Sequence, residues 1–295
     1  MYKRQVLANR NSMVSITNST ITANTTTLLT DGDGGGVRVD DDSIMMISDS
    51  TISHNYATKG GGVFVTDRAQ LSIMRSTLSN NTASNYSSAL TSRNSSNTHI
   101  ENSTVSNNND SGLAIAIATT TAGKIDIVNS TIVDNVGSAN NYGAVTSIGA
   151  GSTISLQNSI ISNGGLFDVT FRGGGTAVSK GNNIIGNNSK TNVQSWSGFT
   201  PLGSDITATS DGTNPTAASA IFEPNLTNNG GPTLTHALVS GSLAIGAANN
   251  GVCPVLDQRG EQRDLKCDIG AFEYIADEAC FVVKAANGNV IAFCL

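Results

Sequence analysis

Charged and aromatic side chains are scarce in this chain. Of its 295 residues, 13% are charged, 5% are aromatic and 5 are proline, whereas an ordinary globular domain carries roughly 25% charged residues. The shortage of large side chains argues against a thick, irregular core and favours short strands stacked through small residues. No run of about 18 apolar residues occurs, so the sequence has no segment typical of a transmembrane helix.

Clusters of basic residues and metal-binding cysteine motifs are also missing. The formal net charge is −6, and Lys and Arg do not cluster. Nucleic-acid-binding proteins need clustered basic residues to meet the phosphate backbone, so we expect no nucleic acid partner. The four cysteines form no Cys-x-x-Cys pair and no histidine lies near them, so zinc is not expected.

The chain does contain one short phrase in six copies. Each copy has an apolar residue at both ends and a serine at its fourth position, and these serines are Ser19, Ser50, Ser76, Ser103, Ser130 and Ser159. The steps between the serines are 31, 26, 27, 27 and 29 residues. A repeat of this length, rich in β-branched residues and turn formers, indicates a solenoid whose units bury their apolar sides against each other.

The centre of each phrase is predicted to be a corner. The apolar ends of the phrase lie five positions apart. In a continuous strand, residues an odd number of positions apart point to opposite faces. Both ends can point inward only if the chain turns between them. Asn tolerates left-handed turn angles, and it precedes the serine at Asn18, Asn102, Asn129 and Asn158. We expect these four side chains to be structural and to stack in an amide ladder.

A third strand is predicted upstream of each corner. An apolar residue preceded by Gly or Ala stands 13 residues before four of the serines, at Val37, Val63, Leu90 and Ile117. Three short strands per turn describe an all-β fold, a right-handed parallel β-helix of about seven coils. A β-sandwich is the alternative, but it gives no reason for the repeated phrase.

Composition divides the chain into four parts. Residues 1–9 are expected to be a non-native or truncated N-terminus, and residues 10–190 to be the coils. The tryptophan, all five prolines and all four cysteines follow, so residues 191–275 are predicted to form a C-terminal capping region and residues 276–295 a β-hairpin.

The hairpin prediction rests on agreement between three features. One register pairs residues across it, namely Cys280 with Cys294, Phe281 with Phe293, and Val283 with Ile291, around a loop at residues 286–288. That register makes a Cys280–Cys294 disulfide plausible and leaves Cys253 to pair with Cys267. Two local disulfides favour an oxidising compartment, which predicts an extracellular or cell-surface protein.

The C-terminal third resembles a specific family. Four strings carry the resemblance: EPNLTNNGGPTLTHAL at 223–238, GSLAIG at 241–246, DQRG at 257–260 and CDIGAFE at 267–273. They are similar to the tail of bacterial choice-of-anchor Q proteins, which belong with polymorphic outer-membrane-type β-helix repeat proteins. The resemblance covers roughly residues 10–275 and implies an exported, surface-associated protein. Two positions depart from the family: Glu223 stands where an Asp is usual, and Gly246 replaces an Asp, so no role for that second acid carries over.

The sequence contains two candidate metal sites: a glycine-rich turn at residues 31–36, which lacks the remaining ligands of a calcium loop, and an acidic corner. Asp40, Asp41 and Asp42 fall one repeat before Asp67 and Arg68, so the register predicts that all five share one corner of adjacent coils. Carboxylates are the ligands that Ca²⁺ prefers. Solvated loop acids are the alternative interpretation, and the sequence requires no cofactor.

The remaining charged and aromatic residues suggest structure rather than catalysis. Asp257, Arg259, Asp268 and Glu273 are expected to form ion pairs that hold the capping region. The histidines at 54, 99 and 236 are scattered and are expected to be structural or exposed. Candidate glycan contacts are the aromatic side chains of Tyr56, Phe64 and Tyr86.

Together these features predict a non-enzymatic surface β-helix, adhesin-like or structural, whose partners are extracellular glycans or surface proteins. The alternative is a polysaccharide lyase or glycoside hydrolase that acts on acidic glycans through a divergent site. The two differ in one feature. The enzyme needs several acids and a basic residue within reach of each other in one groove.

Overall fold

The computed structural model describes residues 5–26, 33–110, 116–137 and 142–276, together with the backbone of two strands at 280–284 and 290–294. Within these ranges the chain winds as a parallel β-solenoid of about seven coils. Three long sheets, here called A, B and C, each receive one strand from every full coil, and a short sheet D lies beside them. The predicted all-β solenoid is therefore confirmed.

The strands are short and pair in parallel between neighbouring coils. Sheet A contains Val6–Ala8, Val37–Val39, Val63–Val65, Leu90–Arg93, Ile117–Thr120, Gly143–Ile148, Phe167–Arg172 and Trp196–Ser197. Sheet B contains Met13–Thr17, Ile44–Ser48, Gln70–Met74, Asn97–Glu101, Lys124–Val128, Thr153–Gln157 and Thr176–Ser179. Sheet C contains Thr20–Thr22, Thr51–Ser53, Thr77–Ser79, Thr104–Ser106, Thr131–Val133, Ile160–Ser162, Ile184–Ile185 and Ile206–Thr207. Sheet D contains Tyr56–Lys59, Thr82–Tyr86, Asn109–Asp110 and Val136–Gly137.

Helices are few in the described ranges. One α-helical turn spans Asn192–Ser195, and 3₁₀ turns span Ala218–Ala220 and Asn250–Val252. No helix in this part of the chain has the length and apolar character needed to cross a membrane.

The corner between sheets B and C lies where the repeated phrase predicts it. The residue before each serine has a left-handed φ of 43–51°, at Asn18, Asp49, Arg75, Asn102, Asn129 and Asn158. Stacked serines hold this corner. The amide of Ser50 donates to the hydroxyl of Ser76 at 3.2 Å, and that hydroxyl donates to the Met74 carbonyl at 2.7 Å. The same two bonds recur in the following coils.

The amide ladder predicted at this corner is present only in part. Asn158 donates to the Oδ1 of Asn129 at 3.2 Å. Asn102, however, donates to the Leu256 carbonyl at 2.6 Å. The prediction was wrong for the step from Asn102 to Asn129, because the chain around Leu256 packs over the corner and its carbonyl accepts the bond instead.

A longer amide ladder runs between sheets C and D, at positions that the sequence analysis passed over. It consists of Asn24, Asn55, Asn81, Asn108 and Asn135, each five residues after a repeat serine. Along it, the side-chain amide of each Asn donates to the Oδ1 of the next at 2.9–3.0 Å. The last four are buried, so the ladder satisfies polar groups that water cannot reach.

Close approach between coils explains two of the glycines that precede sheet A. A Cβ on Gly35 would lie 2.1 Å from the Gly61 carbonyl oxygen, and one on Gly61 would lie 2.4 Å from the Thr82 carbonyl oxygen. Because real Cβ atoms do not approach backbone so closely, these positions need glycine.

The capping region 191–275 makes two kinds of contact. Its first part closes the end of the stack, because Trp196–Ser197 extends sheet A and Ile206–Thr207 extends sheet C. Residues 221–276, here called the C-terminal segment, lie along the outer face of sheet C, from Thr77–Ser79 to Ile184–Ile185. It buries a second apolar cluster there, which contains Ile160, Ile184, Ile221, Phe222, Leu238, Ile269 and Phe272.

The threonines of the repeated phrase anchor this C-terminal segment. The Thr77 hydroxyl donates to the Leu234 carbonyl at 2.6 Å, and the Thr104 hydroxyl donates to Gln258 Oε1 at 2.6 Å. The Thr131 hydroxyl accepts from the Ala271 amide at 3.1 Å. The repeated threonines on this face of sheet C therefore form a row of hydrogen bonds to the C-terminal segment.

Cysteines in two places were predicted to form disulfides. The Cys253–Cys267 disulfide is present in the C-terminal segment. The terminal hairpin pairs Cys280–Lys284 with Val290–Cys294 in the predicted register, with Cys280 opposite Cys294. The side chains of these two cysteines and the loop at 286–288 lie outside the described residues, so the second disulfide stays a prediction.

Candidate functional site

The structure brings the predicted acidic corner together. Asp41 and Asp42 occupy left-handed turn positions between sheets A and B, directly beside Asp67 and Arg68 on the next coil. The Asp42 amide donates to the Asp67 carbonyl at 3.0 Å, and the Arg68 amide donates to the Asn94 carbonyl at 3.0 Å. The register argument was therefore sufficient to place these residues.

Two arginines neutralise part of this corner. Arg68 donates twice to the Asp42 carboxylate, at 2.8 and 2.6 Å, and this pairing lowers the pKa of the exposed Asp42. Arg38 donates twice to Asp40 Oδ2, at 3.0 and 2.7 Å. Burial alone would raise the pKa of Asp67, but side-chain hydrogen bonds, that of Asn94 at 2.9 Å first among them, outweigh it and the pKa is lowered. Its carboxylate is therefore anionic at neutral pH.

Three of the four predicted acids could share a cation. One carboxylate oxygen from each of Asp40, Asp41 and Asp67 lies within 4.8 Å of the others. Asp42 is not part of this group, and its carboxylate is held by Arg68. Ca²⁺ takes 6–8 oxygen ligands, so water and backbone carbonyls would have to complete its shell.

Sheet B presents an open outer face. One row on this face has one residue per coil in register, and the row is Ser15, Met46, Ser72, His99, Asp126, Ser155 and Val178. A second row contains Ile44, Gln70, Asn97, Lys124 and Thr153. All of these residues except Ser15 and Val178 line a shallow groove of about 570 Å³ that runs across the strands. The side chains that face outward along it are mostly polar, with Ile44 and Met46 at one end.

An ion-pair cluster lies in the middle of this groove. His99 Nδ1 is 3.4 Å from Asp126 Oδ2, and its Nε2 is 3.5 Å from Glu101 Oε2. Lys180 donates to Asp126 Oδ1 at 2.8 Å, and the Ser155 hydroxyl donates to the same oxygen. The hydrogen bonds to Asp126 and Glu101 raise the pKa of His99 to about 9, and His99 in turn lowers the pKa of Asp126. At neutral pH, His99 is therefore a cation without a free lone pair for a general base.

This cluster was not predicted from the sequence, where His99 is one of three scattered histidines. The signal was present: Asp126 follows His99 by 27 residues, one repeat step, so the two must be neighbours in sheet B. Lys180 could not be found this way, because its side chain reaches Asp126 across two coils.

The other two histidines lie elsewhere. His236 is buried between the C-terminal segment and sheet C, with Nε2 2.9 Å from the Ser106 hydroxyl and Nδ1 2.8 Å from the Glu223 carbonyl. Burial lowers the pKa of His236, so this side chain is neutral at physiological pH. His54 is an exposed corner residue with a left-handed φ of 55°.

The charged residues of the C-terminal segment form a buried network. Arg259 pairs with Asp257 at 2.8 Å and stacks over the Phe272 ring, 3.6 Å from its centroid. Glu273 pairs at 2.7 Å with Arg263, which the sequence analysis did not single out. Asp268 accepts from the Gly246 and Tyr274 amides, although burial raises its pKa to about 6. Asp257 and Arg259 form the expected ion pair, whereas Glu273 pairs with Arg263 and the Asp268 carboxylate accepts from backbone amides instead.

The three aromatic candidates for glycan contact have different surroundings. Tyr56 is 37% exposed. Phe64 is 2% exposed and lies under the Arg38 guanidinium, 5.5 Å from the ring centroid, so its ring offers no stacking surface. Tyr86 is half-buried and lines a cavity on sheet A.

Comparison with known proteins supports the fold. The family described as "Right handed beta helix region" matches residues 4–190. No curated protein matches the sequence. The crystal structure of pectate lyase Pel9A is similar over 92% of this chain and 70% of that chain, with 16% identity and a TM-score of 0.49. A likeness this low carries no information about chemistry.

Proposed function

The chain belongs to the right-handed β-helix family, and from this premise we propose that it is an exported, non-enzymatic surface module whose open sheet B binds extracellular partners. We further propose that it is a bacterial choice-of-anchor Q or polymorphic outer-membrane-type protein. The tail strings that carry this resemblance coincide with the segment that folds onto sheet C, so they have a structural reason to occur together.

The observation that carries the proposal is the contrast between two faces of the solenoid. The C-terminal segment covers sheet C with a second apolar cluster and buried ion pairs. Sheet B keeps a groove of about 570 Å³ across its strands. A regular face with one side chain every ~4.8 Å suits an extended polymer or a flat protein surface.

The state of the ionisable groups supports a binding role over catalysis. His99 is held between two carboxylates as a cation, and Asp126 is engaged by three partners. Two acids of the corner are paired with arginines. General acid–base catalysis needs a group whose pKa lies near the working pH and whose proton is free to move.

Export is supported by the Cys253–Cys267 disulfide. Disulfides form and persist in oxidising compartments and are rare in the cytosol.

The test is a screen of the purified protein against immobilised extracellular glycans and matrix proteins, repeated with Ser72→Arg. Ser72 lies in the groove between Met46 and His99, so a long cation there should block it. The matched control is Leu265→Arg, since Leu265 is 94% exposed on the C-terminal segment. Binding that Ser72→Arg abolishes and Leu265→Arg keeps supports the proposal. Binding that both variants keep overturns the assignment to sheet B.

A second candidate, a lyase or hydrolase acting on acidic glycans, is favoured by one observation. Three carboxylates of the acidic corner lie within 4.8 Å of each other and could hold Ca²⁺. Calorimetric titration with Ca²⁺, followed by polygalacturonate and absorbance detection of unsaturated products, tests it. Product formation that Asp67→Asn removes would establish the enzyme and sink the non-enzymatic proposal. If the titration shows no heat of calcium binding and no product forms, the non-enzymatic binding role stands.

A further inference from the structure

A cationic pocket lies on the outer face of sheet A and adjoins the acidic corner, because its Arg93 bonds to Asn94, the partner of Asp67. It has a volume of about 470 Å³, within the range of roughly 300–1,000 Å³ typical of small-molecule sites. Lys59 and Tyr86 are paired in register in sheet D and form one wall. Arg93 and Thr91, two residues apart on one strand of sheet A, form the floor with Thr120.

The basic groups of this pocket are only partly engaged. Arg93 Nε donates to Asn94 Oδ1 at 3.3 Å, and among the described residues no carboxylate lies within 4.0 Å of its guanidinium. Lys59 has a carboxylate partner in Asp33, at 3.8 Å. No acidic residue lines the cavity. The pocket therefore concentrates positive charge on a protein whose net charge is −6, and a protein cavity strengthens the attraction of such groups for an anion.

A buried hydroxyl without a partner also lines the pocket. Thr91 is 1% exposed, and its Oγ1 has no hydrogen-bond partner. An unpaired buried polar group destabilises the fold, so native proteins rarely keep one without a reason. The Thr91 side chain is on the same face of the strand as Arg93, because side chains two residues apart on a strand point the same way.

We propose that this pocket binds the sulfate ester of a sulfated saccharide. Its donors come from two strands: the Lys59 ammonium from sheet D, and the Arg93 guanidinium and Thr91 hydroxyl from one strand of sheet A. A carboxylate is planar and is satisfied by one bidentate arginine, whereas a sulfate ester spreads its terminal oxygens in several directions. The Tyr86 ring and the threonine hydroxyls along the wall suit a sugar ring with its own hydroxyl groups.

Binding measurements on the folded protein test this proposal. The probes are a sulfated disaccharide, its desulfated form, a uronate disaccharide without sulfate, and inorganic sulfate. We expect the sulfated disaccharide to bind roughly tenfold or more tightly than the desulfated and uronate forms, and more weakly as salt is raised. Equal binding of the sulfated and desulfated forms, binding of the uronate alone, or no binding of the sulfated disaccharide would overturn it.

Two substitutions locate the site. Arg93→Gln should weaken binding of the sulfated disaccharide by roughly tenfold or more. The control Lys266→Gln removes one positive charge from an exposed side chain of the C-terminal segment and should leave binding unchanged. Thr91→Val should weaken binding and at the same time raise thermal stability, because it removes a buried hydroxyl that has no partner in the free protein. A Thr91→Val protein that binds normally contradicts the proposal, as does one that melts lower.

Binding of the sulfated disaccharide to this pocket does not depend on the role proposed for sheet B. Ser72→Arg should leave binding of the sulfated disaccharide intact. If Ser72→Arg abolishes that binding while Arg93→Gln does not, the pocket assignment fails and the sheet B assignment stands.

Discussion

Buried asparagines show how single residues determine the stacking of coils. Asn81 illustrates the pattern: its side chain donates to Asn108 Oδ1 at 3.0 Å and to the Ile52 carbonyl at 2.9 Å, while its Oδ1 accepts from the Asn55 amide and side chain. One side chain therefore satisfies polar groups on three successive coils. Such a network is strong when complete and costly when one member is lost, because the remaining groups stay buried.

We expect Asn81→Ala to lower the free energy of unfolding by about 3 kcal/mol or more, since the buried Asn55 amide and side chain lose their acceptor and the Ile52 carbonyl loses a donor. Chemical denaturation followed by circular dichroism gives the value. Asn97→Ala is the control, because Asn97 is exposed on sheet B, and its cost should stay within about 0.5 kcal/mol. Similar costs for both variants would show that the ladder does not stabilise the fold.

The pairing of His99 predicts a dependence of stability on pH. Its pKa in the folded protein is about 9, above the ordinary value of 6.5. Stability from this pairing is therefore fully present below about pH 6.5 and is lost as the pH rises through about 9. Because the side chain is 39% exposed, solvent screening keeps the contribution at about 1 kcal/mol or less.

The measurement compares the native protein with His99→Gln from about pH 6 to about pH 10. We expect the stability difference between them to shrink as the pH rises. His54→Asn serves as the control, because His54 is exposed and belongs to no ion pair among the described residues. A difference that stays constant across this range would contradict the ion-pair assignment.

The C-terminal segment shows how one element is held by groups of very different kinds. An apolar cluster, the Cys253–Cys267 disulfide and the Arg263–Glu273 ion pair all lie within it or under it. Arg263 also donates to Asn102 Oδ1 at 2.9 Å, which ties the segment to a corner of the solenoid. Both partners of the ion pair are 2% exposed, so the loss of either leaves a buried charge.

Arg263→Ala should destabilise the segment by about 3–5 kcal/mol, because Glu273 stays buried without its cation. Limited proteolysis and hydrogen exchange should then show residues 221–276 opening before the coils. Arg38→Ala, which breaks the more exposed pair with Asp40, should leave protease resistance of the segment unchanged. Unchanged protection in Arg263→Ala would mean that apolar contacts alone hold it.

Reduction of the disulfide acts on the same element by another route. The bridge joins cysteines 14 residues apart, and a loop of about 15 residues is worth about 3 kcal/mol in the chain-entropy model. We expect Cys253→Ser with Cys267→Ser to lower the melting temperature of the native protein. The melting temperature of the double variant should then not respond to a reductant, and a response there would indicate a second disulfide.

The whole molecule is a one-dimensional stack, so position along the stack should set the cost of a core mutation. Ile100 lies in a central coil and is fully buried, whereas Ile16 is in the first strand of sheet B and is partly exposed. In a stack with nearest-neighbour contacts, a central unit has two interfaces and an edge unit has one.

We therefore expect Ile100→Ala to cost about 2–5 kcal/mol and Ile16→Ala to cost below about 1.5 kcal/mol. Denaturant unfolding of the two variants measures the difference. Hydrogen exchange should show local fraying in Ile16→Ala and loss of protection throughout in Ile100→Ala. Equal costs would mean that the first coil is as constrained as the centre.

The sequence by itself determined the coil. Left-handed corner residues, the spacing of apolar positions and the upstream strands at Val37 and Val63 are local features, and each coil repeats them. Because pairing in parallel register follows from the repeat step, it also placed Asp42 beside Asp67 and Arg68, and it could have placed His99 beside Asp126. Such contacts join neighbouring coils, so the spacing along the chain predicts them.

Only the tertiary structure decided how the C-terminal segment folds back and which faces stay open. Its contacts, such as Asn102 with Leu256 and Thr104 with Gln258, join residues 154 positions apart. The contact of Lys180 with Asp126 likewise depends on side-chain length. The walls of the cationic pocket, which come from sheets A and D, depend on the lateral packing of those sheets. No repeat relates these groups. Burial of the apolar cluster on sheet C and the reach of long side chains determine those contacts, and neither is encoded in the spacing.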